Sequence, residues 1–182
     1  MTTAGIDCGA QNTKCVVLRN GGILGRAMEP TGFEPARAAE ASLAMALQQA
    51  GIAGAALRRI GATGSGRPAL RIAADRVNAV KAMAKGARHF FPAARTVVDV
   101  GAEESRAVRL DDDGNAVDFA VNERCAAGAG AFIEAMARAL EVTVEAIGPL
   151  SLESAREIPM NAQCAIFAES EVIGMIHSNI AK

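Results

Sequence analysis

Ala4-Gly5-Ile6-Asp7-Cys8-Gly9 ends a short apolar run in an acid, one spacer residue and a glycine, and Val97-Val98-Asp99-Val100-Gly101 does so again. After the first copy come turn residues at 9–12, an apolar run Cys15-Val16-Val17-Leu18, the turn Asn20-Gly21-Gly22 and a further short run from Ile23 to Met28. This spacing predicts a three-stranded antiparallel meander. After the second copy, strands are predicted over 105–110 and 116–121, joined by the turn Asp112-Asp113-Gly114-Asn115. A β-β-β unit therefore occurs twice, an internal architectural repeat rather than a short-period solenoid. The expected organisation is two lobes, residues 1–94 and 95–182, with the boundary near 91–94.

Helical segments fill the remainder. Pro30 and Pro35 bracket a break, and residues 36–50 are good helix formers that stop at Gly51. Arg59-Ile60-Gly61-Ala62 reads as a strand entering the turn Thr63-Gly64-Ser65-Gly66-Arg67. Further helices are predicted over 78–89, 131–140, 143–147 and 164–180. The chain has 182 residues, 51% hydrophobic and 21% charged, enough to bury a core in one domain or two small lobes. Nineteen basic residues against 20 acidic ones give a net charge of −1, and no basic run recommends a nucleic-acid partner. The start lacks a basic and then apolar signal, and no run approaches the roughly 20 apolar residues of a membrane span. A cytoplasmic, reducing location is the default expectation, without a membrane partner. The four cysteines are then expected as free thiols or metal ligands rather than as a disulfide framework.

The two acid-x-glycine turns carry the first chemical reading. An acid at a strand end can hold Mg²⁺ or its waters, and glycine lets backbone approach phosphate oxygens without a Cβ in the way. Two such turns facing each other between lobes would grip the phosphates of one nucleotide, with Asn12 and Lys14 beside the first. A single Asp-x-Gly is an ordinary turn; its duplication at the start of two similar hairpins favours the phosphate reading. Thr63-Gly64-Ser65-Gly66-Arg67 does not fit the phosphate-binding pattern ending in Gly-Lys-Ser or Gly-Lys-Thr. Its glycines admit either a phosphate or adjacent backbone.

The cysteines carry the second. Cys125 opens Cys125-Ala126-Ala127-Gly128-Ala129-Gly130 ahead of one predicted helix, and Cys164 precedes another. Thiolates at helix starts suit a soft, electron-rich metal centre, and the small residues after Cys125 would admit a bulky cofactor. Two cysteines do not complete a four-thiolate cluster, whereas a two-fold dimer would supply two from each protomer. The bland alternative is two buried thiols acting as small hydrophobes. Cys8 reads as a small turn residue and Cys15 as core. His89 and His177 have no triad partners, and Glu169 and Glu171, two apart on a helix, point in different directions.

Gly5-Ile6-Asp7-Cys8-Gly9, Val98-Asp99-Val100-Gly101, Asn122-Glu123-Arg124-Cys125-Ala126-Ala127-Gly128-Ala129-Gly130 and Cys164-Ala165-Ile166-Phe167-Ala168-Glu169-Ser170-Glu171 together resemble the BadF/BadG/BcrA/BcrD ATPase family. That family contains the ATP-hydrolysing components of benzoyl-CoA reductase and the activators of 2-hydroxyacyl-CoA dehydratases. The resemblance implies an α/β, actin and sugar-kinase-like (ribonuclease H-like) two-lobed ATPase fold. It implies ATP/ADP with Mg²⁺, and a [4Fe-4S] cluster shared between two protomers and ligated by Cys125 and Cys164. It implies phosphate loops at Asp7, Gly9, Asn12, Thr13 and Lys14 and at Asp99 and Gly101, with Gly128 and Gly130 beside the cofactor. It implies as partners a second copy or paralogue, a CoA-thioester reductase or dehydratase, and ferredoxin or flavodoxin as electron source. Many activators carry Gly-Gly-Gln-Asp after the second acid, where this chain has Gly101-Ala102-Glu103-Glu104. The acidic version resembles the benzoyl-CoA reductase components, so that reductase is the expected acceptor and a dehydratase the alternative. Glu103 is the candidate, by place, for positioning the attacking water. The family continues past the length seen here, so the second lobe is expected to be incomplete. A small-molecule kinase of the same superfamily would explain the two turns but not the cysteines; a non-catalytic cluster-binding fragment would explain the cysteines alone.

Overall fold

A computed structural model describes residues 1–122, 128–161, 164–178 and 180. It divides into two compact units, residues 1–95 with 110–116, and residues 96–109 with 117–182.

The first unit is built on β1 (Thr2–Cys8), β2 (Asn12–Arg19), β3 (Gly22–Pro30), β4 (Arg59–Thr63) and β5 (Asp75–Arg76), in the sheet order β3-β2-β1-β4-β5. β1 to β3 form the antiparallel meander expected from the turn spacing, while β4 runs parallel to β1 and β5 parallel to β4. Alternation along β1 sends Ala4, Ile6 and Cys8 to one face. There they join Cys15, Val17, Ala62 and Leu70 in a core covered by α1 (Pro35–Ala50) through Ala39 and Ala46. Pro35 starts that helix where a missing N–H costs nothing. Gly51 ends it in the left-handed conformation, donating its N–H to the carbonyls of Gln48 and Leu47. Cys8, expected in the turn, is instead the fully buried last residue of β1. Cys15 is core as expected, and burial pushes its thiol up to about 11.

α2 (Ala79–Phe90) is capped by the Asn78 side chain, which accepts from the Lys81 N–H at 2.8 Å. From its last turn Arg88 donates to the carbonyls of Pro92 and Asp112, while Arg95 pairs with the Asp112 carboxylate at 2.6 Å. These contacts tie residues 110–116 into the first unit. Within that turn Asp111 accepts from the backbone and side-chain amides of Asn115, which hold its carboxyl below the ordinary carboxylate range.

In the second unit β6 (Thr96–Val100), β7 (Ser105–Leu110) and β8 (Ala116–Val121) form a three-stranded sheet in that order. α3 (Ala129–Ala139), α4 (Val144–Glu153) and α5 (Ala165–His177) follow. α3 packs on α4 and α5, and their buried residues include Met136, Ala137, Ala168 and Val172. α4 does not end at 147, as its sequence predicts, but continues through Pro149 to Glu153. A proline at this point removes one N–H that would have bonded a carbonyl four residues earlier, and the ladder on either side persists. Among the described residues no helix is long and apolar enough to cross a membrane.

Candidate functional site

The first acid-x-glycine turn lies where β1 ends. Register places Asp7 opposite Lys14 on β2 and opposite Thr63 on β4, so a cation, a carboxylate and a hydroxyl share one row on the face away from α1. Lys14 Nζ stands 3.4 Å from Asp7 Oδ2, with both side chains half exposed. The Gly9 N–H closes the turn on the Asn12 carbonyl at 3.1 Å, so Asn12 serves the loop through its backbone. Glycine is required here because a Cβ would lie 2.8 Å from that carbonyl oxygen. Thr13 faces the core: its buried hydroxyl shares a 2.9 Å hydrogen bond with Thr31, which donates to the Gly9 carbonyl at 2.8 Å. Its side chain therefore supports the loop from behind.

The Gly64-Ser65-Gly66 segment, which sequence alone assigns equally to a phosphate or to neighbouring backbone, packs directly against this turn. The Gly66 N–H donates to the Cys8 carbonyl at 2.9 Å. Gly64 is held at φ 88°, and a Cβ there would collide with the Cys8 carbonyl and sit 2.7 Å from Asp7 Oδ1. Backbone contact with the first turn is thus one function of these glycines, and periodicity alone carries no sign of it.

The second turn repeats the design. The Gly101 N–H donates to the Glu104 carbonyl at 3.0 Å, and a Cβ on Gly101 would lie 2.6 Å from that oxygen. Asp99 pairs with Arg106, its register partner on β7, at 3.3 Å. Lys14 and Arg106 each stand seven positions after their acid. Arg106 also bonds the Glu104 carboxylate, so one cation holds two acids, while Glu103 is exposed beside them. The Asp7 and Asp99 side chains are each 43% exposed, open to a hydrated ion or a phosphate-bound metal.

Behind the second turn stands α3. The Gly130 N–H donates to the Gly101 carbonyl at 3.0 Å, and a Cβ on Gly130 would lie 2.7 Å from that oxygen. Gly128 is the helix N-cap residue and accepts from the Phe132 N–H at 2.8 Å. The glycines after Cys125 therefore bring the start of α3 against the second turn. Cys125 itself, with Glu123, Arg124, Ala126 and Ala127, lies outside the described residues. Cys164 is a free, half-buried thiol at the N-cap of α5. Its N–H donates to Asn161 Oδ1 at 2.8 Å, and the Asn161 N–H donates to the Glu171 carboxylate at 2.8 Å. Glu171 thus anchors the approach to Cys164. Among the described residues no group of three or more His, Cys, Asp or Glu could hold a metal ion.

Against known proteins, the BadF/BadG/BcrA/BcrD ATPase family matches residues 4–182, with both turns and both cysteines inside the match. The chain belongs to this family. An activator of lactoyl-CoA dehydratase from Anaerotignum propionicum is 33% identical over 100% of this chain and 70% of its own length. A benzoyl-CoA reductase component from Thauera aromatica is 31% identical over 98% of this chain and 65% of its own. The solved activator of 2-hydroxyisocaproyl-CoA dehydratase from Clostridium difficile with bound ADPNP superposes with a TM-score of 0.86 at 29% identity, covering 99% of this chain and 67% of that one. The fold is that of the actin-like and sugar-kinase-like ATPases, as the family resemblance implied.

Proposed function

We propose that this family member binds and hydrolyses ATP and uses the cycle to pass electrons to an enzyme acting on a CoA thioester. The observation that carries the reading is the repeated turn: acid, spacer, glycine closed on the backbone three residues on, and a cation seven residues after the acid. Asp7 at the first turn and Asp99 at the second are each a carboxylate that would hold Mg²⁺ or its waters. Lys14 is loosely paired and half exposed, free to exchange Asp7 for a phosphate oxygen at small cost. Arg106, held by two acids, keeps Asp99 and Glu104 in place. Glu103 stays the candidate for orienting the attacking water. The ADPNP bound in the Clostridium difficile relative supports the nucleotide.

The thiol donors Cys125 and Cys164 suit an iron-sulfur centre, and two copies of the chain, or one copy and a paralogue, would supply its four ligands. When bound, such a cluster supplies a one-electron carrier, filled from ferredoxin or flavodoxin. The protein's own part is to bias that carrier: hydrolysis drives an unfavourable transfer only where nucleotide state changes the ligands' surroundings. The Gly101–Gly130 contact joins a phosphate turn to the helix that follows Cys125.

Relatives named as dehydratase activators favour a 2-hydroxyacyl-CoA dehydratase as the acceptor. A second reading, benzoyl-CoA reductase, is favoured by Glu103-Glu104 and by the Thauera aromatica relative. Anaerobic purification with iron, sulfide and mass analysis tests the scheme. A brown dimer with about four irons per pair, lost on Cys125→Ser or Cys164→Ser, supports it; a colourless monomer that hydrolyses ATP only with an added hydroxyl substrate would support a small-molecule kinase instead.

A further inference from the structure

Among the described residues, the buried side-chain oxygen that makes no hydrogen bond is Thr63 Oγ1. Burying a hydroxyl unpaired is costly, so this position calls for a physical reason. Its place supplies one. Thr63 is the last residue of β4, in register with Asp7 across the parallel β1–β4 pair, and parallel strands bind ligands beyond their carboxyl ends. The next residue, Gly64, brings bare backbone against Asp7, whose other oxygen faces Lys14. The row Lys14, Asp7, Thr63 thus offers a cation, a metal-binding carboxylate and an uncommitted hydroxyl on one sheet face.

We propose that Thr63 is a ligand-contacting residue of the first phosphate turn, donating its free O–H to a phosphate oxygen of the bound nucleotide. This rests on the nucleotide reading above and adds to it a residue that the acid-x-glycine motif does not contain. The hydroxyl is unsatisfied in the ligand-free protein and satisfied in the complex. Removing it therefore has opposite effects on the two states: the ligand-free fold gains and the complex loses.

The test compares Thr63→Val, Thr63→Ser and wild type in the full chain, by thermal unfolding without nucleotide and by calorimetric titration with Mg·ADPNP. The expected result is a Thr63→Val protein that melts no lower than wild type without nucleotide yet binds Mg·ADPNP about tenfold or more weakly, with Thr63→Ser restoring affinity. Thr63→Ala repeats the affinity measurement with less bulk. If wild type binds and both Thr63→Val and Thr63→Ala bind equally well, this proposal is overturned and the nucleotide reading stands. A wild-type protein that binds no Mg·ADPNP overturns the nucleotide reading, and this proposal with it.

Discussion

The turns at Asp7 and Asp99 are alike in front and different behind. In front, each closes a glycine N–H on a carbonyl three residues on and pairs its acid with a cross-strand cation. Behind the first lies the centre of a sheet: Cys8, its spacer residue, is fully buried, and the β4 turn presses backbone against it. Behind the second lies the start of α3, and its spacer, Val100, is 51% exposed. A turn packed into a sheet is a fixed cradle. One leaning on a helix start can report its state to that helix. Under the proposed function, the first turn holds phosphate while the second links phosphate to the segment that begins at Cys125.

The largest contrast should come from filling the glycine contacts. Gly64→Ala adds a Cβ at positive φ against the Cys8 carbonyl, and we expect a loss of about 3 kcal/mol or more, from left-handed strain plus overpacking. Gly130→Ala meets one carbonyl oxygen at 2.7 Å at a helix start and should cost about 1–2 kcal/mol. Urea unfolding measures both, and equal losses would erase the distinction between the two backings.

Next come the cations. Arg106 has only 20% of its side chain exposed and serves two acids, so Arg106→Ala should cost about 1–2 kcal/mol, leaving Asp99 and Glu104 without their shared cation. Lys14→Ala, in a half-exposed pair, should cost about 0.5 kcal/mol or less, with its larger effect on nucleotide affinity. A Lys14 variant as unstable as the Arg106 variant would show that the two cations carry equal structural weight.

The smallest effect concerns thiols. Native protein treated with iodoacetamide at mild alkaline pH should be labelled at half-buried Cys164 before buried Cys8 and Cys15, as peptide mass mapping would show. Cys15 adds a pH dependence of known sign. Its folded-state value, about 11, lies above the ordinary thiol value of 9.0, so burial stabilises the fold below pH 9 and that contribution is lost as pH rises toward 11. A Cys15→Ala variant should lack this alkaline decline.

Much of this is legible in the sequence because it rests on local chemistry. Gly51 stops α1, Asn78 caps α2, and the two acid-x-glycine turns each end a strand as their spacing requires. What escapes depends on partners far along the chain. β5 is two residues long and exists as a strand only because it pairs with β4. Cys8 resembles a turn residue because it stands next to Gly9, and its burial comes from the β4 turn and the α1-covered core. Gly130 reads as room for a ligand, and Gly64 as room for a ligand or for backbone, whereas each is required by backbone contact with an acid-x-glycine turn. Thr63 opens the glycine-rich turn, but the lack of a hydrogen-bond partner for its hydroxyl is a three-dimensional fact.

If the repeated turns are phosphate sites, calorimetric titration of Mg·ADPNP into wild type, Asp7→Asn and Asp99→Asn will separate the three proteins. Wild type should bind, and each variant, still folded, should bind at least about tenfold more weakly, in line with the loss of a metal-holding carboxylate. Folded variants that both bind as tightly as wild type would contradict the phosphate reading.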